Sequence, residues 1–104
     1  MALTREFKQT VKARLDSDPA FRAALLSDAI SVLLEGDVET GKSVLRDFIN
    51  ATVGFEALAQ EVGVPAKSLM RMFGPKGNPR ADNLFAVIHK LQQSSGIQLA
   101  VAAA

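Results

Sequence analysis

Apolar residues recur at intervals of three and four along most of the chain, which is the spacing of one face of an α-helix. The first such stripe is Leu3, Phe7, Val11 and Leu15. A second, wider stripe covers residues 21–34, and it follows Asp18 and Pro19, which suit the N-cap and the first position of a helix. Because this stripe spans more than one face, it is either deeply buried in the monomer or in contact with another chain.

A third helix is predicted after Gly36, which ends the second helix, and Asp37, which caps the next. Its apolar stripe is Val44, Leu45, Phe48 and Ile49. Residues 1–51 contain no recognisable chemistry, so we interpret them as an N-terminal helical segment that serves as scaffold or interface.

Residues 55–73 predict two short helices joined by a tight turn. The first helix runs from Phe55 to about Glu61 and the second from Pro65 to Phe73. Gly63 suits the left-handed conformation that ends a helix, and a small residue four positions earlier allows the two helices to cross closely. The positions that define this pattern are Leu58, Ala59, Val62, Gly63, Val64 and Leu69. The pattern is typical of a helix-turn-helix, although an ordinary corner between two helices is the alternative.

The outward positions of the second short helix favour nucleic-acid binding. From Lys67 to Arg80 the chain has four basic residues and no acidic residue. A recognition helix enters the major groove with its first turns, so these side chains would meet base edges and phosphates. The predicted DNA-binding residues are Lys67, Ser68, Arg71, Lys76, Asn78 and Arg80.

The chain after this loop predicts a last helix from about Arg80 to Ser94 and then a short strand. Residues 97–101 alternate between apolar and polar, which is the strand pattern. Because a lone strand needs a partner, we expect it to pair with the same strand of a second copy in a homodimer. The expected dimerisation residues are Ile97, Leu99 and Val101.

Length and composition indicate one compact, mostly helical domain. Within it, the helix-turn-helix pattern leads us to interpret residues 52–104 as the DNA-binding segment with the C-terminal strand. The chain has 104 residues, of which 48% are hydrophobic and 22% charged. The formal net charge is only +1, but residues 1–51 have seven basic and eight acidic side chains, whereas residues 52–104 have five and three. This balance is compatible with a DNA-facing second half but not with general polyanion binding.

Other functional classes find little support in the composition. There is no cysteine, tryptophan or tyrosine, and the single histidine, His89, falls inside the last helix. We therefore expect no enzymatic activity, no metal site and no cofactor. No secretory signal or membrane-length apolar run is apparent, so a cytoplasmic location without membrane association is expected.

Residues 58–91 resemble the lambda-repressor/Cro-like (XRE) DNA-binding domain in the sequences LAQEVGV, GNP and NLFAVIHKL. With GIQLAV at the end, the second half of the chain looks similar to HigA-like addiction-module antidote proteins, which are antitoxins of type II toxin–antitoxin modules. The recognition helix differs from many relatives in opening with Pro65 and Ala66, where a polar residue often reads a base.

The resemblance implies two activities in one molecule. One is repression of its own operon by a dimer bound to operator DNA, with Lys67, Ser68 and Arg71 in the major groove and Lys76, Asn78 and Arg80 on the backbone. The other is neutralisation of a small ribosome-dependent mRNA-cleaving toxin of the RelE/HigB kind. Two alternatives stay open, namely a stand-alone XRE-type repressor without a toxin and a helical protein-interaction module that does not bind DNA.

Overall fold

The computed structural model describes residues 5–104, which form an all-helical structure. The helices are α1 (Arg5–Ser17), α2 (Pro19–Leu34), α3 (Val38–Ala51), α4 (Phe55–Val62), α5 (Ala66–Met72) and α6 (Ala81–Ser95). This confirms the predicted all-α class, and the described residues contain no strand. Leu3 and the side chain of Phe7, from the first predicted stripe, lie outside the described part of the chain.

Two helices begin at the aspartates that the sequence indicates. Asp18 accepts a hydrogen bond from the backbone N–H of Phe21 at 3.1 Å, with Pro19 as the first residue of α2. Asp37 accepts one from the backbone N–H of Thr40 at 3.1 Å. These bonds satisfy backbone donors that have no partner within the first helical turn.

One apolar core holds the helices together. Helix α2 packs against α3, α1 contacts both of them, and α4 contacts α5 and α6. All six helices and the residue that follows α5 contribute to the core. Its buried members are Leu15, Leu26, Ala29, Leu45, Phe48, Ile49, Phe55, Leu58, Ala59, Leu69, Phe73, Val87 and Leu91.

The C-terminal segment does not form the predicted strand. Instead, the N–H of Ile97 donates to the Gln92 carbonyl oxygen at 2.9 Å, and the N–H of Leu99 donates to Gln92 Oε1 at 2.8 Å. Ile97 and Leu99 are half-buried against the core, whereas Val101 is 81% exposed. The physical reason is that residues 5–104 of one copy offer no neighbouring strand, so the end of α6 satisfies these donors. Strand pairing in a dimer stays a prediction.

Within residues 5–104, none of the helices combines the length and the apolar character that crossing a membrane requires.

Candidate nucleic-acid interface

The corner between α4 and α5 is built around Gly63. This glycine has φ 73° and ψ 29°, the left-handed conformation that the sequence predicts at the end of α4. The N–H groups of Gly63 and Val64 donate to the Ala59 carbonyl oxygen at 2.9 and 3.2 Å. Pro65 has an extended backbone (φ −57°, ψ 141°) and caps α5, so this helix begins at Ala66 rather than at the predicted Pro65.

Helix α5 has a buried face and an exposed face. Leu69 is fully buried in the core, and Leu58 and Ala59 of α4 are buried as well. Lys67 and Arg71 are exposed. They are four residues apart and therefore lie on the same side of the helix.

The remaining positions of the corner and of α5 range from half-buried to exposed. Val62, Val64 and Ser68 are half-buried, and Gly63 is exposed at the turn. Met70 is 44% exposed on the outer side of α5. The exposed side of this short helix therefore carries two cations, and Ser68 lies at its edge.

The loop after α5, residues 73–80, folds back over the end of the helix. The N–H of Gly77 donates to the Gly74 carbonyl oxygen at 3.0 Å, which closes a four-residue turn with Pro75 and Lys76 at its tip. Proline favours the second position of such turns. A Cβ atom at Gly77 would lie 2.5 Å from the Met72 carbonyl oxygen and closer still to that of Arg71. Only glycine permits so close a contact with the end of α5.

Lys42 of α3 also belongs to this site, although it is not among the site residues predicted from the sequence. Its side chain is 2% exposed, and its Nζ donates to the carbonyl oxygens of Gly74 at 3.2 Å and Gly77 at 2.5 Å. Nζ also lies 3.0 Å from Glu39 Oε1. One feature of the sequence indicates this burial: Lys42 lies three residues before Leu45 and therefore on the buried face of α3.

A second cation of α3 reaches the same loop. Arg46 Nη1 lies 3.4 Å from the Phe73 carbonyl oxygen, a long hydrogen bond. The C-terminal end of a helix has a partial negative charge, so Lys42 and Arg46 are placed where cations are favourable.

The three predicted backbone-contact residues lie on the exposed side of this loop. Lys76, Asn78 and Arg80 are all exposed. Arg80 precedes α6, and its Nε lies 3.6 Å from Asp82 Oδ1. Both side chains of this ion pair are more than two-thirds exposed, so water screens it and Arg80 keeps most of its attraction for an anion.

We call the exposed side of α5 and its following loop the basic face. It consists of the exposed Lys67, Arg71, Lys76, Asn78 and Arg80 and of the half-buried Ser68 at its edge. Ammonium, guanidinium, hydroxyl and amide groups donate hydrogen bonds to phosphate oxygens and to base edges. The basic face can therefore donate hydrogen bonds to the phosphates and bases of a nucleic acid.

Other parts of the surface offer less specific chemistry. Within residues 5–104, no three acidic or histidine side chains are close enough to hold a metal ion. A cavity of about 300 Å³ lies among the ends of α1 and α6, the start of α2, and the joint between α3 and α4. Its cation, Arg22, already donates to the carbonyl oxygens of Leu15 at 2.6 Å and Asp16 at 3.3 Å, and so closes the end of α1.

No protein-family model, no curated protein and no solved structure significantly matches this chain. Support for a function therefore comes from the geometry of the described residues.

Proposed function

We propose that this chain is a sequence-specific DNA-binding transcriptional regulator with α5 as its recognition helix. The observation that supports this best is that α5 has two different faces. Leu69 is buried in the core, whereas Lys67 and Arg71 are exposed immediately before a basic loop. A helix of this kind fits the major groove of B-DNA, and cations on its flank can hold the phosphates on either side.

The residues of the basic face would have two roles. Arg71 can donate two hydrogen bonds to a guanine, and Lys67 and Ser68 can reach base edges or phosphates from the first turn of α5. Because Pro65 and Ala66 have no side-chain donor, base reading would depend on Lys67, Ser68 and Arg71. Lys76, Asn78 and Arg80 would bind the DNA backbone and fix the orientation of the helix.

A twofold dimer would present two recognition helices to a palindromic operator. The half-sites would lie roughly 34 Å apart, one turn of B-DNA. The C-terminal segment is the proposed interface, because Val101 is largely exposed and can reach a second copy. Ile97 and Leu99, already half-buried, would complete the contact.

Binding to DNA from upstream of its own gene tests this proposal. We would compare the double variant Lys67→Ala, Arg71→Ala with the wild type and with Lys12→Ala, Arg14→Ala in α1. Both variants change the net charge from +1 to −1, so a difference between them reports where the charges lie. The proposal predicts that only the variant in α5 loses specific binding. Equal binding by both variants would contradict it.

We also propose that the regulator is an antitoxin that neutralises a RelE/HigB-like toxin. Besides the resemblance, one surface supports a protein partner: at the α2–α3 corner, Leu34 is 69% and Val38 45% exposed. The exposed acidic residues Glu35, Asp37 and Glu39 surround them, and residues 23–41 contain no basic residue. An apolar patch with an acidic rim is complementary to a basic protein.

Co-expression with a small basic protein encoded by a neighbouring gene tests the antitoxin proposal. Leu34→Arg should weaken the complex because it places a cation against a basic partner, whereas Phe85→Arg on α6 should leave it intact. Phe85 is 66% exposed and so provides a matched control. DNA binding without any such complex would favour a stand-alone repressor. A complex without DNA binding would favour an interaction module.

A further inference from the structure

The ammonium group of Lys42 uses its full hydrogen-bonding capacity inside the protein. It has three N–H donors and three close acceptors, the carbonyl oxygens of Gly74 and Gly77 and the carboxylate of Glu39. Lysine is almost never fully buried unless its charge is paired, because an unpaired buried charge is costly. The burial of Lys42 therefore depends on the position of the loop, and the loop in turn depends on Lys42.

The two backbone acceptors of Lys42 are the first and last residues of the turn that carries Lys76. Holding Gly74 and Gly77 together keeps this turn closed, in addition to its own hydrogen bond of 3.0 Å between the same two residues. Gly77 is also pressed against the end of α5. Lys42 thus fixes the tip of the loop relative to the recognition helix.

We infer that Lys42 is a positioning residue for DNA binding, which acts by holding the loop of residues 73–80 against α5. This inference rests on the proposed function. It means that a residue of α3, in the N-terminal half of the chain, contributes to DNA binding by fixing the arrangement of Lys76, Asn78 and Arg80 beside α5. A loop fixed in advance loses less conformational entropy when it binds.

Limited trypsin digestion of the full chain tests whether Lys42 holds the loop. Lys42→Met keeps the apolar stem but removes the charge and the donors. Cleavage after Lys76 should become at least tenfold faster, while cleavage in α1 keeps its wild-type rate. Lys12→Met is the matched control, because Lys12 Nζ also donates to a distant carbonyl oxygen, that of Ala51 at 3.2 Å, but is exposed.

DNA binding by the same variants tests the positioning role. Lys42→Met should weaken binding to the upstream fragment about tenfold and reduce its salt dependence, since Lys76 and Arg80 would no longer be held in place. Lys12→Met should bind as the wild type does. Wild-type affinity in a folded Lys42→Met variant would overturn the inference, even if trypsin cleaved its loop faster.

Gly77→Ala provides an independent test from the loop side. The added Cβ would push the turn away from the end of α5 while leaving α3 intact, so the same faster cleavage and weaker binding are expected. If Lys42→Met does not fold, this variant decides alone, and unchanged cleavage and affinity would refute the inference. If the wild type binds no DNA, the proposed function fails, whereas trypsin cleavage still decides whether Lys42 holds the loop.

Discussion

Replacing Leu69 by alanine should destabilise the fold by about 3 kcal/mol, because large-to-small changes in a core cost roughly 2 to 5 kcal/mol. Leu69 is fully buried, and α5 has only seven residues. Isolated helices shorter than about 12 residues are marginal in water, so α5 depends on this packing. At about 4 to 8 °C per kcal/mol, the unfolding temperature should fall by roughly 12 to 24 °C.

Met70→Ala provides the control for this prediction. Met70 is next to Leu69 but 44% exposed, so its truncation should change the free energy of unfolding by less than about 1 kcal/mol. Urea unfolding followed by circular dichroism would compare the two variants, and equal slopes of the transitions would show that the midpoints report stability. If Met70→Ala were the more harmful change, α5 would be rotated, and Lys67 and Arg71 would not face outward.

Three further changes test the local structure. Asp18→Ala should cost about 1 kcal/mol in urea unfolding, because the N–H of Phe21 loses its acceptor. Hydrogen bonds from Thr40, chiefly from its hydroxyl and secondly from its backbone N–H, lower the pKa of Asp37. The Asp37 carboxylate therefore stabilises the fold at neutral pH. That contribution should decline as the pH falls below about 4 and vanish below the lowered pKa; Asp37→Asn should therefore lose less stability in acid than the wild type. Gly63→Ala should cost about 1 kcal/mol or more in thermal unfolding, since alanine is strained at a positive φ.

Features of the fold set by neighbouring residues were predictable from the sequence. Asp18 with Pro19, and Asp37, mark the starts of helices because a cap bonds to an N–H only three residues away. Gly63 marks the turn before α5 because its backbone conformation is local. The identity of the exposed cations on α5 followed in the same way, from helical spacing around Leu69.

The anchoring of the loop by Lys42 could not be predicted from local pattern. Its acceptors, Gly74 and Gly77, are 32 and 35 residues away, and they are backbone atoms that any residue possesses. Hydropathy also misleads here, because a lysine is expected at the surface. Only the packing of α3 beside the end of α5 brings the charge and the carbonyl groups together.

The C-terminal segment shows how an alternating pattern can have two physical origins. Ile97 and Leu99 alternate with Gln98 as in a strand. In the structure the same alternation places Ile97 and Leu99 against the core while Gln98 is exposed, without any ladder of hydrogen bonds. Burial of alternate side chains sets the pattern, whereas a strand also requires a partner backbone.

The salt dependence of binding to DNA from upstream of the gene tests most directly whether the basic face is a DNA-binding surface. If Lys67, Lys76 and Arg80 each contact a phosphate while Arg71 reads a base, the logarithm of the binding constant should fall with the logarithm of salt concentration with a slope of about −2 to −3 per chain. Lys76→Ala, Arg80→Ala should make this slope shallower by about 2, and Lys12→Ala, Arg14→Ala should leave it unchanged. Equal slopes for the two variants, or no salt-dependent binding by the folded wild type, would contradict the proposed function.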